Sequence, residues 1–271
     1  MLAQFDLTGS VALVTGGNGG IGRAIAIGLA RAGADIAIVA RNEGKTASVV
    51  AEIQRLGHKA IGIRCDVTKR DSIHAAIEAV KEAFGKLNIL VNNAGLSRGG
   101  GRPEQIPEEA WDIVIDTNLK GAFLFAQAAY PLLVANGGGK IINIGSGYAL
   151  VASPTSLPYG VSKAGIVQLT KSLGMAWGRD SIQVNAILPG WVETDMTAGL
   201  RANKTLYDWE VHYTPAGRFG RPEDMVGIAV LLASPASNFM TGQSILVDGG
   251  IWLGRAAGPP GFLGDPPVSI L

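Results

Sequence analysis

The sequence predicts one α/β domain built as a doubly wound parallel sheet of about seven strands with helices on both faces. Two observations carry that prediction. Short apolar runs rich in β-branched residues recur along the chain, as strands buried on both faces require, and segments of helical length and period separate them. The alternation passes from end to end without a linker and returns in "SILVDGG" at 244–250, so a single domain is expected over residues 1–254.

In chain order, "VALVT" at Val11–Thr15 is the first strand, and it feeds a helix over Ile21–Ala32 through a glycine cluster. Asp35–Ala40 and Ala60–Cys65 are the next strands, followed by helices over Lys45–Leu56 and Ser72–Phe84. Ile89–Asn92 leads into a long helix over Trp111–Val134, and Lys140–Ile144 into another over Tyr159–Trp177. Ile182–Ile187 opens a region marked by Gly and Pro, 189–221, after which a helix over Pro222–Leu232 and the strand Ser244–Val247 complete the pattern. The tail 255–271 breaks with all of this: its prolines exclude a helix or a central strand, and an extended appendage is expected.

Composition narrows the function. With 47% hydrophobic and 17% charged residues, the 271-residue chain can bury a large core. Lys+Arg 23 against Asp+Glu 22 gives a net charge of +1, which makes no electrostatic case for nucleic acid or an anionic membrane and favours a small-molecule partner. One cysteine, Cys65, and three scattered histidines, His58, His74 and His212, offer neither a disulfide nor a metal cluster. The N-terminal residues lack the pattern of a signal peptide and no apolar stretch reaches the length of a membrane span, so a soluble cytoplasmic protein is expected.

In "VALVTGGNGGIGRAI", Gly16, Gly20 and Gly22 stand between the first strand and the first helix. Missing side chains there permit a tight turn and let a pyrophosphate approach the helix N-terminus. The second strand ends at Ala40 with Arg41 next. In a Rossmann-type site a carboxylate at that point holds the adenosine ribose of NAD, whereas a guanidinium clamps the 2′-phosphate of NADP, so NADP is the expected cofactor. Glu43 is close enough in sequence to serve a ribose instead, which keeps NAD as the runner-up, and Asn18 adds no second positive charge. Asp66 in "RCDVT" suits the adenine amino group and suits a helix N-terminus equally.

Tyr159 and Lys163 in "YGVSK" lie one helical turn apart, so the ammonium can sit beside the phenol. Together with "TGGNGGIG" at 15–22, "NNAG" at 92–95 and Ser146 in "INIGSG", they make the sequence resemble the short-chain dehydrogenase/reductase family over about residues 5–253. The resemblance implies that Tyr159 is the general acid/base, that Lys163 lowers its pKa and binds the nicotinamide ribose, that Ser146 holds the reacting oxygen, and that Asn118 links Lys163 to a proton relay. It further implies cofactor contacts from Asn18, Ile21, Val67, Asn92, Ala94 and Gly95. After the sixth strand, Pro189, Gly190, Val192 and Thr194 would serve the nicotinamide end, and a homotetramer is expected. Apolar residues on more than one helix face, Phe123, Phe125, Ile166, Val167 and Leu169, agree with that assembly.

The substrate side is less determined. Arg98 and Arg102 after the fourth strand, and Tyr207, Trp209, His212 and Tyr213 in a segment at 196–215 expected to act as a lid, suit a small carbonyl or alcohol of polyhydroxylated or carboxylated type, and within the family the sequence resembles the sugar and sugar-acid dehydrogenases or the ketoacyl-reductase-like members. A catalytically idle nucleotide-binding scaffold on the same fold is the alternative of another class.

Overall fold

The computed structural model describes residues 2–98 and 100–253; the expected tail at 255–271 lies outside them. Seven parallel strands form one sheet: β1 Val11–Thr15, β2 Asp35–Ala40, β3 Ala60–Arg64, β4 Ile89–Asn92, β5 Gly139–Ile144, β6 Ile182–Pro189 and β7 Ser244–Val247, in the order β3-β2-β1-β4-β5-β6-β7. β1 lies inside the sheet, with Val14 registered against Ile38 of β2 on one side and Val91 of β4 on the other. The strand order reverses between β1 and β4. In a doubly wound sheet the crevice beyond the carboxyl ends of the strands at such a reversal is where a ligand fits.

Nine α-helices flank the sheet among the described residues: α1 Gly20–Arg31, α2 Glu43–Arg55, α3 Arg70–Phe84, α4 Glu108–Ile115, α5 Gly121–Ala135, α6 Leu157–Trp177, α7 Ala198–Ala202, α8 Lys204–Tyr213 and α9 Val226–Ala233. Alternate strand residues point to opposite faces, so the core has two halves. Ala12, Val14, Ile36 and Ile38 pack with Ile25, Leu29, Ile53 and Leu232 on one face. Val11, Leu13, Ala37 and Val39 pack with Ile73, Ile77, Phe125 and Leu133 on the other.

Two expectations need correction. The helix expected over Trp111–Val134 is α4 and α5 joined by a π-helical turn at Asp116–Lys120, where one extra residue per turn widens the backbone ring. Gly121 ends the insertion against the Val67 carbonyl, where a Cβ would come within 2.8 Å. In addition, Phe125, Ile166 and Val167 are buried within this one chain and are not surface that a partner copy would need to cover. Among the described residues no helix is long and apolar enough to cross a membrane.

Candidate active site

The turn after β1 is braced from β4. The Thr15 hydroxyl accepts the backbone N–H groups of Asn93 and Ala94, each at 3.0 Å, while Asn93 Nδ2 donates to the carbonyls of Thr15 at 2.9 Å and Gly16 at 3.1 Å. Gly16, at φ 63°, lies against Ala94, and a Cβ on Gly22 would collide with Asn93 Nδ2 and the Gly16 carbonyl. Side chains at 16 and 22 would therefore push the strand-to-helix turn away from β4. α1 starts with Gly19 as an N-cap that has no side chain, and its first turn carries no acidic residue. Its N-terminal N–H groups are left for an anion.

This turn opens onto a cavity of about 700 Å³ at the carboxyl ends of the strands. Gly16, Asn18, Gly20 and Ile21 line it from the β1–α1 turn, and Arg41, Asp66 and Val67 from the ends of β2 and β3. Ala94 and Gly95 line it after β4; Pro189, Gly190, Val192 and Thr194 line it after β6. Asn18 Nδ2 donates to the Asn42 carbonyl at 3.2 Å and to Thr46 Oγ1 at 3.1 Å, which ties the glycine turn to the start of α2. Asp66 Oδ1 accepts from the Thr68 backbone at 3.0 Å and hydroxyl at 2.8 Å, so it caps its own turn ahead of α3. Burial opposes ionisation of Asp66, but the Thr68 hydrogen bonds and the nearby Arg41 charge outweigh it and lower its pKa.

Two expected cofactor residues stand behind the wall. Gly22 acts through the close packing just described. Asn92 is the last residue of β4 and turns its side chain into the sheet, where Nδ2 donates to Asn143 Oδ1 at 2.9 Å and the Ala122 carbonyl at 3.3 Å. Its neighbour Asn93 lines the cavity in its place, because successive strand residues face opposite ways.

At the other end of the cavity Ser146, Tyr159 and Lys163 meet. Ser146 caps the short turn after β5, accepting from Tyr148 N at 3.2 Å, and its hydroxyl stands beside the Tyr159 phenol, where it favours the phenolate. Lys163, buried on α6, donates from Nζ to the Ile144 carbonyl at 2.7 Å. Asn118 sits in the π-turn, which sets its amide between the Leu96 loop and α6: Oδ1 accepts from Leu96 N, and Nδ2 donates to the Leu96 carbonyl, both at 2.9 Å. Nδ2 also reaches Ser162 Oγ at 3.0 Å. Gly95 separates Asn118 from Lys163; a Cβ there would lie 3.3 Å from Asn118 Oδ1 and 3.5 Å from Lys163 Nζ. The two side chains thus approach one point.

Burial governs the charges here. It pushes the Tyr159 phenol above its ordinary value; the Ser146 hydrogen bond pulls the other way and Tyr148 adds to the rise. It pushes the Lys163 ammonium down to about 8. The lowering expected for Tyr159 is therefore not a property of the protein alone, since desolvation penalises the phenolate more than Ser146 favours it.

Several wall residues carried no clear signal in the sequence. Lys45 and Asn42 stand beside Arg41, and Lys45 reaches Asp195 at 3.3 Å. Glu43, the alternative ribose ligand, is absent from the wall and pairs with Arg64 at 3.4 Å. Tyr148, Trp191 and Trp252 line the end next to Tyr159. Arg102 is exposed and paired with Glu104. The expected lid is folded as α7 and α8, and Trp191 Nε1 donates to Glu210 Oε2 of α8 at 2.7 Å.

Comparison with known proteins places this geometry among relatives. A family model described as enoyl-(acyl carrier protein) reductase matches residues 16–252. Gluconate 5-dehydrogenase of Gluconobacter oxydans is 39% identical across 91% of this chain and 96% of its own length. The 2-dehydro-3-deoxy-D-gluconate 5-dehydrogenase of Pseudoalteromonas atlantica is 41% identical across 94% and 100%. Among solved structures, a gluconate 5-dehydrogenase from Burkholderia cenocepacia in complex with NADP and tartrate superposes with a TM-score of 0.89 at 39% identity, covering 93% of this chain and 98% of that one.

Proposed function

The chain belongs to the short-chain dehydrogenase/reductase family, enzymes that act on CH–OH and C=O groups, and from that premise we propose an NADP(H)-dependent oxidoreductase of small sugar acids. The observation that carries this reading is one cavity with Arg41 and Lys45 at one end and Ser146, Tyr159 and Lys163 at the other. Two cations suit a 2′-phosphate, and Glu43, the carboxylate an NAD ribose would want, is off the cavity wall beside Arg64. The uncapped start of α1 and the bare Gly16 and Gly20 fit a pyrophosphate between those ends. Relatives named for gluconate and dehydro-deoxy-gluconate, one of them solved with NADP and tartrate, support the substrate class.

The bound nicotinamide supplies or accepts the hydride. Ser146 holds the substrate oxygen, and Tyr159 gives it a proton in reduction or takes one in oxidation. Lys163, fixed by the Ile144 carbonyl, supplies positive charge beside the phenol and a donor for the nicotinamide ribose. Asn118 keeps the Leu96 loop and Ser162 of α6 in register, so the proton path to Lys163 has a fixed wall.

The proposal includes a soluble cytoplasmic homotetramer. Cys65 is free and buried, as suits a reducing compartment. Met175 on α6, 90% exposed, and Phe239, fully exposed, are apolar surface that a partner copy would cover. A monomer in light scattering at micromolar concentration would overturn the assembly. The deciding experiment for the activity is nicotinamide absorbance of purified protein with NADPH, and separately NADH, against keto sugar acids, ketones and aldehydes. Turnover with NADPH on keto sugar acids is expected; binding of NADPH without turnover of any carbonyl would leave the idle scaffold in its place.

A further inference from the structure

After β7 the chain turns back into the active site. Asp248 caps that turn twice: Oδ1 accepts from Gly250 N at 2.9 Å and Oδ2 from Trp252 N at 3.1 Å. Gly249 and Gly250, at φ 63° and 87°, provide left-handed backbone that other residues resist. The turn delivers Trp252 to Gly147, immediately after Ser146. A Cβ on Gly147 would overlap the indole, so the missing side chain is the seat of the ring.

From that seat Trp252 meets Tyr148 at 5.3 Å between centroids, and Tyr148 in turn meets Trp191 at 6.0 Å and Tyr159 at 6.3 Å. Tyr148, Trp191 and Trp252 all line the cavity beside the reacting groups, yet proton and hydride transfer require none of them. The polar tip of Trp191 is engaged by Glu210, and that of Trp252 is buried without a partner against Gly147. What these two indoles present to a ligand is ring surface. Ring surface in a confined pocket binds the C–H faces of a substrate, while the few polar groups nearby fix its orientation.

We propose that Trp252 is a specificity-determining residue that closes the substrate end of the cavity and stacks on the carbon chain of the sugar acid, extending the function proposed above. Its placement depends on two local devices, the Asp248 turn, packed against Gly190, and the Gly147 notch, and on nothing at the Arg41 end of the cavity. A defect at Trp252 should therefore appear in substrate KM before it appears in kcat or in cofactor affinity.

The test compares wild type with Trp252→Ala, Trp252→Leu and Trp252→Phe, using NADPH with 5-dehydro-D-gluconate and with methylglyoxal, which is too short to reach along a ring wall. Loss of the ring should raise KM for 5-dehydro-D-gluconate about tenfold or more. The loss in kcat/KM should exceed that for methylglyoxal by at least about fivefold, and Trp252→Phe should recover most of it. NADPH Kd should stay within about twofold of wild type, since Trp252 lines the Tyr159 end of the cavity and not the Arg41 end that would hold the phosphates. Trp252→Leu keeps bulk in the notch, so it reads the role of the ring even if the alanine variant does not fold. Wild-type KM in the leucine variant, or equal losses on both substrates, would overturn the role of Trp252 alone. A wild type that reduces methylglyoxal but no sugar acid would overturn the substrate class and the stacking with it. Absence of any NADPH-linked turnover would instead overturn the proposed function itself.

Discussion

Lys163 holds its Nζ 5.6 Å from the centroid of the Tyr159 ring while donating to the Ile144 carbonyl at 2.7 Å, so a backbone dipole and not a carboxylate anchors the ammonium. Burial without a full counter-charge brings it down to about 8. The protonated form suits an anionic cofactor, so binding NADPH takes up a proton once the free protein has lost it. NADPH Kd should be flat below pH 8 and rise by up to about tenfold per unit above it. The 2′-phosphate itself titrates near 6, below this window. Fluorescence titrations from pH 6.5 to 9.5 would show the break, and Lys163→Met should abolish it. A flat wild-type profile would remove Lys163 from cofactor binding.

Tyr159→Phe deletes one hydroxyl from a buried ring. Cofactor affinity should change by less than about threefold while kcat falls by at least about a hundredfold, the scale of a lost general acid. Retention of a tenth of wild-type kcat would assign the proton to another group.

Arg41→Ala should raise KM for NADPH about tenfold to a hundredfold, the worth of a charge-assisted phosphate contact, and leave NADH nearly unaffected. Lys45→Ala should act the same way but more weakly, because Lys45 is exposed and already shared with Asp195. If both variants lose NADPH and NADH equally, the 2′-phosphate is not what these cations read.

Gly22→Ala must move either Asn93 or the Gly16 carbonyl, which are the two parts of the brace between β1 and β4. The expected cost is about 1–3 kcal/mol together with weakened cofactor binding. Gly19 has extended backbone at φ −168° and open space around it, so Gly19→Ala should cost less than about 1 kcal/mol. Thermal unfolding of the two variants side by side checks the contrast.

The extent to which this site was legible follows from what periodicity carries. β1, β2, β4 and β7 have the bounds that their apolar runs suggest, because a polar residue marks one end of each run: Thr15, Asp35, Asn92 and Ser244. The π-turn at Asp116–Lys120 was hidden, since α5 is apolar nearly all round and the shift in phase made by one inserted residue leaves no break in its pattern. Adjacent Asn92 and Asn93 could not be told apart without knowing where β4 ends, for a shift of one residue reverses which side chain faces the cavity. Glu43 and Lys45 both lie in the first turn of α2, and only the position of Arg64 on β3 shows that the carboxylate turns away. Trp252 gave no signal, because its seat is an absence at Gly147, about a hundred residues earlier in the chain.

Lys140 on β5 is the second buried lysine, 7% exposed, with Nζ donating to Asn238 Oδ1 at 2.7 Å and Ser237 Oγ at 3.4 Å; among the described residues no carboxylate pairs with it. Burial lowers its pKa to about 8 from 10.5. The folded state therefore gives up this proton before the unfolded state does. Below pH 8 both states are protonated and the full penalty of burying the charge is present. Between about 8 and 10.5 the unfolded chain holds the extra proton, so stability rises with pH, by up to about 3 kcal/mol for a complete shift. Lys163 adds a rise of the same sign in the same window. Lys140→Met should thus flatten about half of the stability gain between pH 8 and 10 without moving the NADPH break, because Lys140 is not on the cavity wall. Urea unfolding at pH 7, 8, 9 and 10 measures it. A variant that keeps the wild-type slope would show that Asn238 and Ser237 already hold the charge at its ordinary value.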